Sequence, residues 1–355
     1  MKNFFVGSGV IFSLEMRQRL RGVAWYVLLG VFFFIFLVVT VITTIVVFAT
    51  AGGSGHDVGR PLYSLIIYFV LLIGSLVAPA MSGNAINGDR DAGTLATTQV
   101  TLITTGQLIF GKFLAAWATA TGFLVIALPF LIYGAIIGGP DGTTIAVSLL
   151  VLFAELGVVA AIGVGLSALI ARPLFSVVVT YLAVAALTLG TLIAFTLGGL
   201  ATETKTTMYD YDNIHQKTQT CDGLEQYQTT VPRFDLVWGI LAPNPFVVLS
   251  DAVPAEYDHD GNPLDLFGDL KAGERAAQQS PFTDDTPAAA CRDALSYSSD
   301  SGPYSDSARY VIDHTAPSWA VGLGIQLALA IAALLGGWAR TRTPARRLPR
   351  GSRVA

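Results

Sequence analysis

Six stretches of the chain stay apolar long enough to cross a membrane: roughly 23–50, 62–83, 113–137, 144–170, 174–200 and 318–338. A helix crossing ~30 Å of hydrocarbon needs about 20 mostly apolar residues. Several of the runs are longer, which leaves room for tilt. The pattern predicts an all-α polytopic membrane protein with six transmembrane helices. Ahead of the first run, residues 4–20 read as an amphipathic helix. Phe5, Ile11, Phe12, Met16 and Leu20 share one side, and Glu15, Arg17 and Arg19 fall largely on another. That suits an interfacial helix lying on a membrane surface. The apolar run behind it, about 27 residues, exceeds the 7–15 of a signal h-region, so it reads as a retained span. A further stretch, 234–249, holds Asp235 and is broken by Pro243 and Pro245. It is expected to dip into one leaflet or lie on it rather than to cross.

Composition sharpens this picture. Of the 355 residues, 53% are hydrophobic and 13% charged, and the mean hydropathy is +0.59. A soluble domain carries about 25% charged residues, so an ordinary water-soluble enzyme, a collagen, a coiled coil and a disordered chain are excluded. The charges are unevenly spread, with 26 of 46 falling in residues 201–315. The organisation expected is therefore an interfacial helix in 1–22, five spans in 23–200 with a connecting segment at 84–111, a polar loop-rich insert in 201–315, a sixth span in 316–339 and a basic tail in 340–355.

Charge also orients the chain. With both termini on the cytoplasmic side, that side holds 13 Lys and Arg, among them the tail Arg340, Arg342, Arg346 and Arg347, against the acids Glu15, Asp89 and Asp91. The opposite side holds 8 basic and 21 acidic residues. Basic residues collect on the cytoplasmic side of membrane proteins, which supports N-in, C-in. The insert is then extracytoplasmic. Its two cysteines, Cys221 and Cys291, lie on the oxidising side, where a disulfide is favoured. Closing that loop should stabilise the insert by about 4 kcal/mol in the chain-entropy model. The basic tail is suited to anionic lipid, with a direct protein contact as the alternative. Short helices and loops are expected in the insert, without a large core of its own.

Candidate chemistry is sparse. Gly106 to Phe113 nearly spells a phosphate-binding loop, but Phe113 stands where a hydroxyl must hold Mg²⁺, and the strand context is missing. Lys112 reads instead as snorkelling at the membrane boundary. Glu256, Asp258, Asp260 and Gly261 imitate the start of a calcium loop, yet Phe267 occupies the position of the bidentate Glu, so an acidic turn is expected. The four histidines are dispersed and no metal site is expected. No nucleophile elbow or zinc-protease motif is present, and the chain is not expected to be an enzyme by itself. Glu155 is the one ionisable carboxylate in a span, about 18 Å along its helix at 1.5 Å per residue. It is open to two readings, a proton or cationic-substrate site, or a carboxyl buried between helices. On the same helix Gly157, Ala161 and Gly165 form a small-residue stripe that permits close helix packing.

The segment after the second span carries the most information. Gly88-Asp89-Arg90-Asp91-Ala92-Gly93-Thr94-Leu95 is a charged turn bracketed by glycines, with Asp91 or Thr94 a candidate helix cap. Read alone, it is either a docking knob or an ordinary loop. This segment resembles the G-E-R-E-x-G-T-L of type-2 exporter ABC permeases, with Asp replacing both Glu, and Gly111-Lys112-Phe113 resembles their third-span start. Ala242-Pro243-Asn244-Pro245-Phe246 is similar to an outer-loop segment of related actinobacterial-type permeases. The resemblance implies a permease subunit in a bacterial plasma membrane, paired with a second permease as a homo- or heterodimer. Each would be served by a separate cytoplasmic ATPase that holds the cofactors, ATP and Mg²⁺. Gly88, Asp89, Arg90, Asp91, Gly93, Thr94 and Leu95 would couple to that ATPase. Tyr68, Phe69, Ser75, Thr180 and Thr188, with Glu155, would lie along a path for a hydrophobic or amphipathic substrate such as a lipid or drug. Membrane lipid is a further expected partner and nucleic acid is not. Two other functions fit the same sequence: an ATP-driven scaffold acting on an envelope partner through the insert, and a proton-coupled transporter using Glu155.

Overall fold

A computed structural model describes residues 2–50, 59–91, 93, 103–215, 218, 220–281, 287, 288, 291, 295 and 308–341. It contains six helices long and apolar enough to cross a membrane, so the chain has the makings of a multi-pass membrane protein. Helix α1 (Lys2–Arg21) is separated by Gly22 from α2 (Val23–Thr50), the first span. The second span is α3 (Gly59–Ser82), followed by the single-turn helix α4 (Asn87–Asp91). The third and fourth spans are α5 (Thr105–Ile136) and α6 (Gly142–Leu169). The fifth runs through α7 (Pro173–Ala185), a π-helical turn at Ala186–Gly190 and α8 (Thr191–Ala201), and the sixth is α12 (Trp319–Thr341).

The chain divides into two compact units, Met1–Leu187 with Leu323–Ala355, and Thr188–Gly322. In the first, the second and fourth spans are central. Each is 61% buried over its most apolar window, against 11% for the first span. The core between α3, α5 and α6 is built from large aliphatics such as Leu62, Ile66, Ile67, Leu71, Leu152 and Leu156. Small residues draw the helices together. A Cβ on Gly165 would lie 2.4 Å from the Ala333 backbone, and one on Gly157 2.9 Å from the Trp117 indole. Ala161 joins Val158, Ile162 and Ala330 in one buried cluster. The stripe read from the sequence thus seats two different helices.

The short elements start where their sequences provide caps. Thr104 and Gln107 form a reciprocal capping box that opens α5. Of the two candidate caps read from the sequence, Asp91 is the last residue of α4 and Thr94 lies outside the described residues. Pro173 takes the first position of α7, where a missing N–H costs nothing.

The second unit departs from the expectation of helices and loops. It carries an antiparallel hairpin, β1 (Thr204–His215) and β2 (Thr220–Val231), in register from Thr204 opposite Val231 to His215 opposite Thr220. Its strands are rich in Thr and Tyr, which suit a pleated backbone but leave no aliphatic alternation for a hydrophobicity reading to catch. Beyond it, 234–249 does not form a spanning helix. It folds as two 3₁₀ turns and the start of α9 (Pro245–Ala252), followed by α10 (Leu266–Ala276) and α11 (Ala308–Asp313). Cys221 and Cys291 are bonded, with Cα atoms 5.8 Å apart, which ties β2 to a point 70 residues further along.

Candidate functional site

The resembling segment at 88–95 is anchored by two sets of contacts. Asn87 is buried, and its Nδ2 donates to the carbonyl of Ile170 at 2.6 Å. The backbone N–H groups of Ile86 and Asn87 both reach Ser167 Oγ, at 3.0 and 3.3 Å. Arg90 donates back to Asn87 Oδ1 at 3.0 Å. These bonds fasten α4 to the C-terminal end of the fourth span. They also satisfy orphan groups at a helix end, which would otherwise be costly to bury.

The second set is ionic. Lys112, 3% exposed, sits between two carboxylates, Asp89 Oδ2 at 2.8 Å and Glu15 of α1. Arg19, one turn after Glu15, lies 3.9 Å from it and donates to Thr119 Oγ1 at 3.0 Å and toward the Met81 carbonyl at 3.4 Å. Burial pushes the Arg19 guanidinium down from its ordinary value, opposed by the charge of Glu15. Two expectations are corrected here. Lys112 does not snorkel, because two anions hold it inside the protein. Glu15 and Arg19 do not lie on the outward face of the leader but turn toward α5, along with buried Ser8 and Ile11. Of the side expected to meet the membrane, Phe5 and Leu20 are exposed while Ile11 is buried. The near-phosphate-binding stretch at 106–113 is plain helix.

One ionic junction therefore joins three pieces of chain: the leader helix, the turn after the second span, and the first turns of the third. Asp89 is a member of it. Asp91 is exposed, and Gly93 follows at φ 68°, the left-handed conformation that ends a helix at glycine. Arg340, the one described member of the tail set, is exposed, while Leu95, Arg342, Arg346 and Arg347 lie outside the described residues. Lys112 thus bonds α5 to both α1 and α4.

The residues proposed along a substrate path are more scattered. Tyr68, Ser75, Thr180 and Glu155 are buried, and Phe69 is half-buried. Thr180 donates to the Ser176 carbonyl at 2.8 Å and packs beside Gly163 near Ser82. Thr188 lies in the π turn of the second unit. Two cavities among the described residues are lined by none of them. One, about 410 Å³, lies between the first and third spans, lined by Leu37, Thr40, Thr44, Pro129, Phe130 and Tyr133 among others. The other, about 450 Å³, is in the second unit between Phe195, Phe234 and the end of α10. Glu155 is fully buried, and neither carboxyl oxygen has a partner at hydrogen-bond distance; Gln326 of the sixth span is the polar side chain that bears on it. A charge at mid-membrane costs about 2.5–3.5 kcal/mol on insertion scales.

Two arrangements in the second unit went unread in the sequence. Asn244, from the Ala-Pro-Asn-Pro-Phe segment, donates through Nδ2 to the Thr188 carbonyl at 2.8 Å and Thr191 Oγ1 at 2.9 Å. Its Oδ1 caps α9 through the Phe246 N–H at 2.9 Å. A π turn interrupts the regular helix ladder, and Asn244 supplies a donor there. The other arrangement is a buried charge network. Asp251 Oδ1 accepts from Arg275 at 2.7 Å, and Oδ2 accepts the N–H groups of Ser318 and Trp319 at 2.7 and 2.9 Å. Arg275 also donates to the Thr315 carbonyl at 2.7 Å, and Lys271 to that of Val253 at 2.6 Å. The acidic 256–261 stretch is a turn, closed by Asp258 accepting the N–H groups of Asp260 and Asn262 at 2.9 and 2.7 Å. Those bonds hold the Asp258 carboxyl below the usual carboxylate range. The signal for the ionic junction was available in the sequence. Glu15 is the one acid in the first 56 residues, and Lys112 the one charge between Asp91 and Asp141. Each needed a partner. No family model, curated protein or solved structure matches the chain.

Proposed function

We propose that the protein is the membrane-spanning permease subunit of an ABC exporter. It would sit in a bacterial plasma membrane with both termini in the cytoplasm, and would couple ATP hydrolysis by a separate subunit to export of a hydrophobic or amphipathic substrate. The observation that carries the reading is the turn at Asn87–Asp91. Its Gly88-Asp89-Arg90-Asp91 resembles the start of a permease coupling segment, with Asp in place of both Glu, and Asp89 is bonded through Lys112 to the leader helix. An ATPase holding Asp91 would pull on α4, and the ionic junction would pass that pull to α1 and α5. The test is purification from native membranes with ATP hydrolysis and vesicle transport measured together. An ATPase subunit is expected to co-purify. Asp91→Arg is expected to lower transport at least tenfold without loss of thermal stability, and Lys112→Met to keep the ATPase bound while uncoupling it. Assembly and coupled transport unchanged in both variants would overturn the reading.

A second reading draws support from the segment between the fifth and sixth spans. It has a buried ionic network and a disulfide-tied hairpin of its own, as would suit a machine that acts on an envelope partner without moving a substrate. Flux through reconstituted vesicles decides against it; ATP hydrolysis with no flux favours it.

A further inference from the structure

The fourth and sixth spans meet along a seam of small residues. Gly165 seats Ala333, the Cβ of Ala168 lies against Gly337, and Ala330 is buried with Val158, Ala161 and Ile162. On the sixth span the residues of this seam recur at 326, 330, 333 and 337, the three-and-four spacing of one helix face. At the far end of the stripe stand Glu155 and Gln326, both fully buried. Glu155 is the fourteenth residue of a 28-residue helix, midway along it.

An ionised carboxylate offers acceptors only, and needs a cation or several donors when it is taken out of water. The titratable groups on the helices packed against the fourth span do not supply them. Tyr63 is bonded to Ser148, Lys112 to Glu15 and Asp89, and Tyr181 to the Leu76 carbonyl. Tyr68, Tyr133 and Arg340 on the same helices make no hydrogen bond to either Glu155 oxygen. A protonated carboxyl, by contrast, carries one O–H donor and one carbonyl acceptor, and a carboxamide carries one N–H donor and one carbonyl acceptor on the same edge. Brought to hydrogen-bond distance, which neither carboxyl oxygen reaches in the structure, the two make a closed, uncharged pair.

We propose that Glu155 is a proton-binding site: it keeps its proton in the packed protein and, with Gln326, forms a carboxyl–carboxamide clamp that holds the sixth span to the fourth. Proton release then requires the seam to open, so the position of the sixth span and the protonation of Glu155 are linked. The inference concerns this seam alone and stands independently of the ATPase reading.

Infrared difference spectroscopy of the full chain in lipid vesicles tests it. The carbonyl stretch of a protonated carboxyl is expected at neutral and mildly alkaline pH and is expected to vanish in Glu155→Gln, a change that keeps the seam closed with a carboxamide pair. In Gln326→Leu the band is expected to persist and shift to higher frequency, because the carbonyl loses its donor. If Glu155→Gln does not fold, the Gln326→Leu shift carries the assignment by itself. A neutral-pH spectrum without a protonated-carboxyl band, or a band that neither variant moves, overturns the proposal; an ionised Glu155 would point instead to a bound cation.

Discussion

In Met1–Leu187 with Leu323–Ala355, the paired charges are gathered at helix ends. Glu15, Asp89 and Lys112 meet where the leader, α4 and the start of α5 come together, and the interior beyond them is aliphatic and aromatic, with Glu155, Gln326 and Ser and Thr hydroxyls as its polar members. In Thr188–Gly322 the arrangement is reversed. Asp251, Lys271, Glu274 and Arg275 are all buried, beside a small apolar set that includes Val248, Leu249, Val253 and Phe267. The contrast follows from solvent. Lipid already favours apolar side chains, so helices there associate through small residues and close packing. A polar segment of little aliphatic content has no such option and is organised by hydrogen-bonded charge, which specifies geometry strongly when fully satisfied.

The contrast can be broken most severely at Asp251. Asp251→Ala takes from buried Arg275 its nearer anion, leaving Glu274 at 3.4 Å, and uncaps the first turn of α12. A loss of about 3–5 kcal/mol is expected, read as a lower melting midpoint of the full chain and as early proteolysis within 188–322.

Next in size is a pH effect confined to the polar unit. Burial pushes the Asp265 carboxyl up to about 6 from an ordinary 3.8, with Glu256 and Asp269 adding to the rise and the Gly268 N–H opposing it. An acid whose folded value is raised stabilises the fold most when protonated. Its contribution is complete below the unfolded value, 3.8, and is lost as pH rises to about 6. At about 1.4 kcal/mol per unit the loss is on the order of 3 kcal/mol. Asp265→Asn keeps a capping oxygen for α10 and removes the titration, so its melting midpoint is expected to lose the decline that the unsubstituted protein shows across that window. An identical decline in both proteins would show that Asp265 is not responsible.

The smallest effect sharpens the apolar side of the comparison. Gly165→Val places a branched side chain against the Ala333 backbone, and overpacking of this kind costs about 1–3 kcal/mol. Its melting midpoint in detergent is expected to fall.

Much of the fold was legible in the sequence. The six spans needed only counting, because a helix that must satisfy its own backbone in lipid has to be long and apolar. Cys221 and Cys291 are the two cysteines of the chain and are bonded as expected. The hairpin was not legible, since Thr and Tyr mark strand by backbone preference while hydrophobicity reads them as polar. The ionic junction was half legible. Glu15 and Lys112 each stood out as a lone charge, but 97 residues separate them, and nothing local says which face of the leader turns inward. The substrate-path residues were chosen span by span, and two cavities among the described residues are lined by none of them.

What the sequence determined by itself is the number and extent of the spans and the concentration of charge between the last two. Both rest on local cost, residue by residue, of leaving water. Tertiary structure alone decided who partners whom: Lys112 with Glu15 and Asp89, Asp251 with Arg275, Asn244 with the Thr188 carbonyl. Those pairings depend on which helix faces meet. That is set by packing of small against large residues over the whole bundle, a property no single stretch of chain contains.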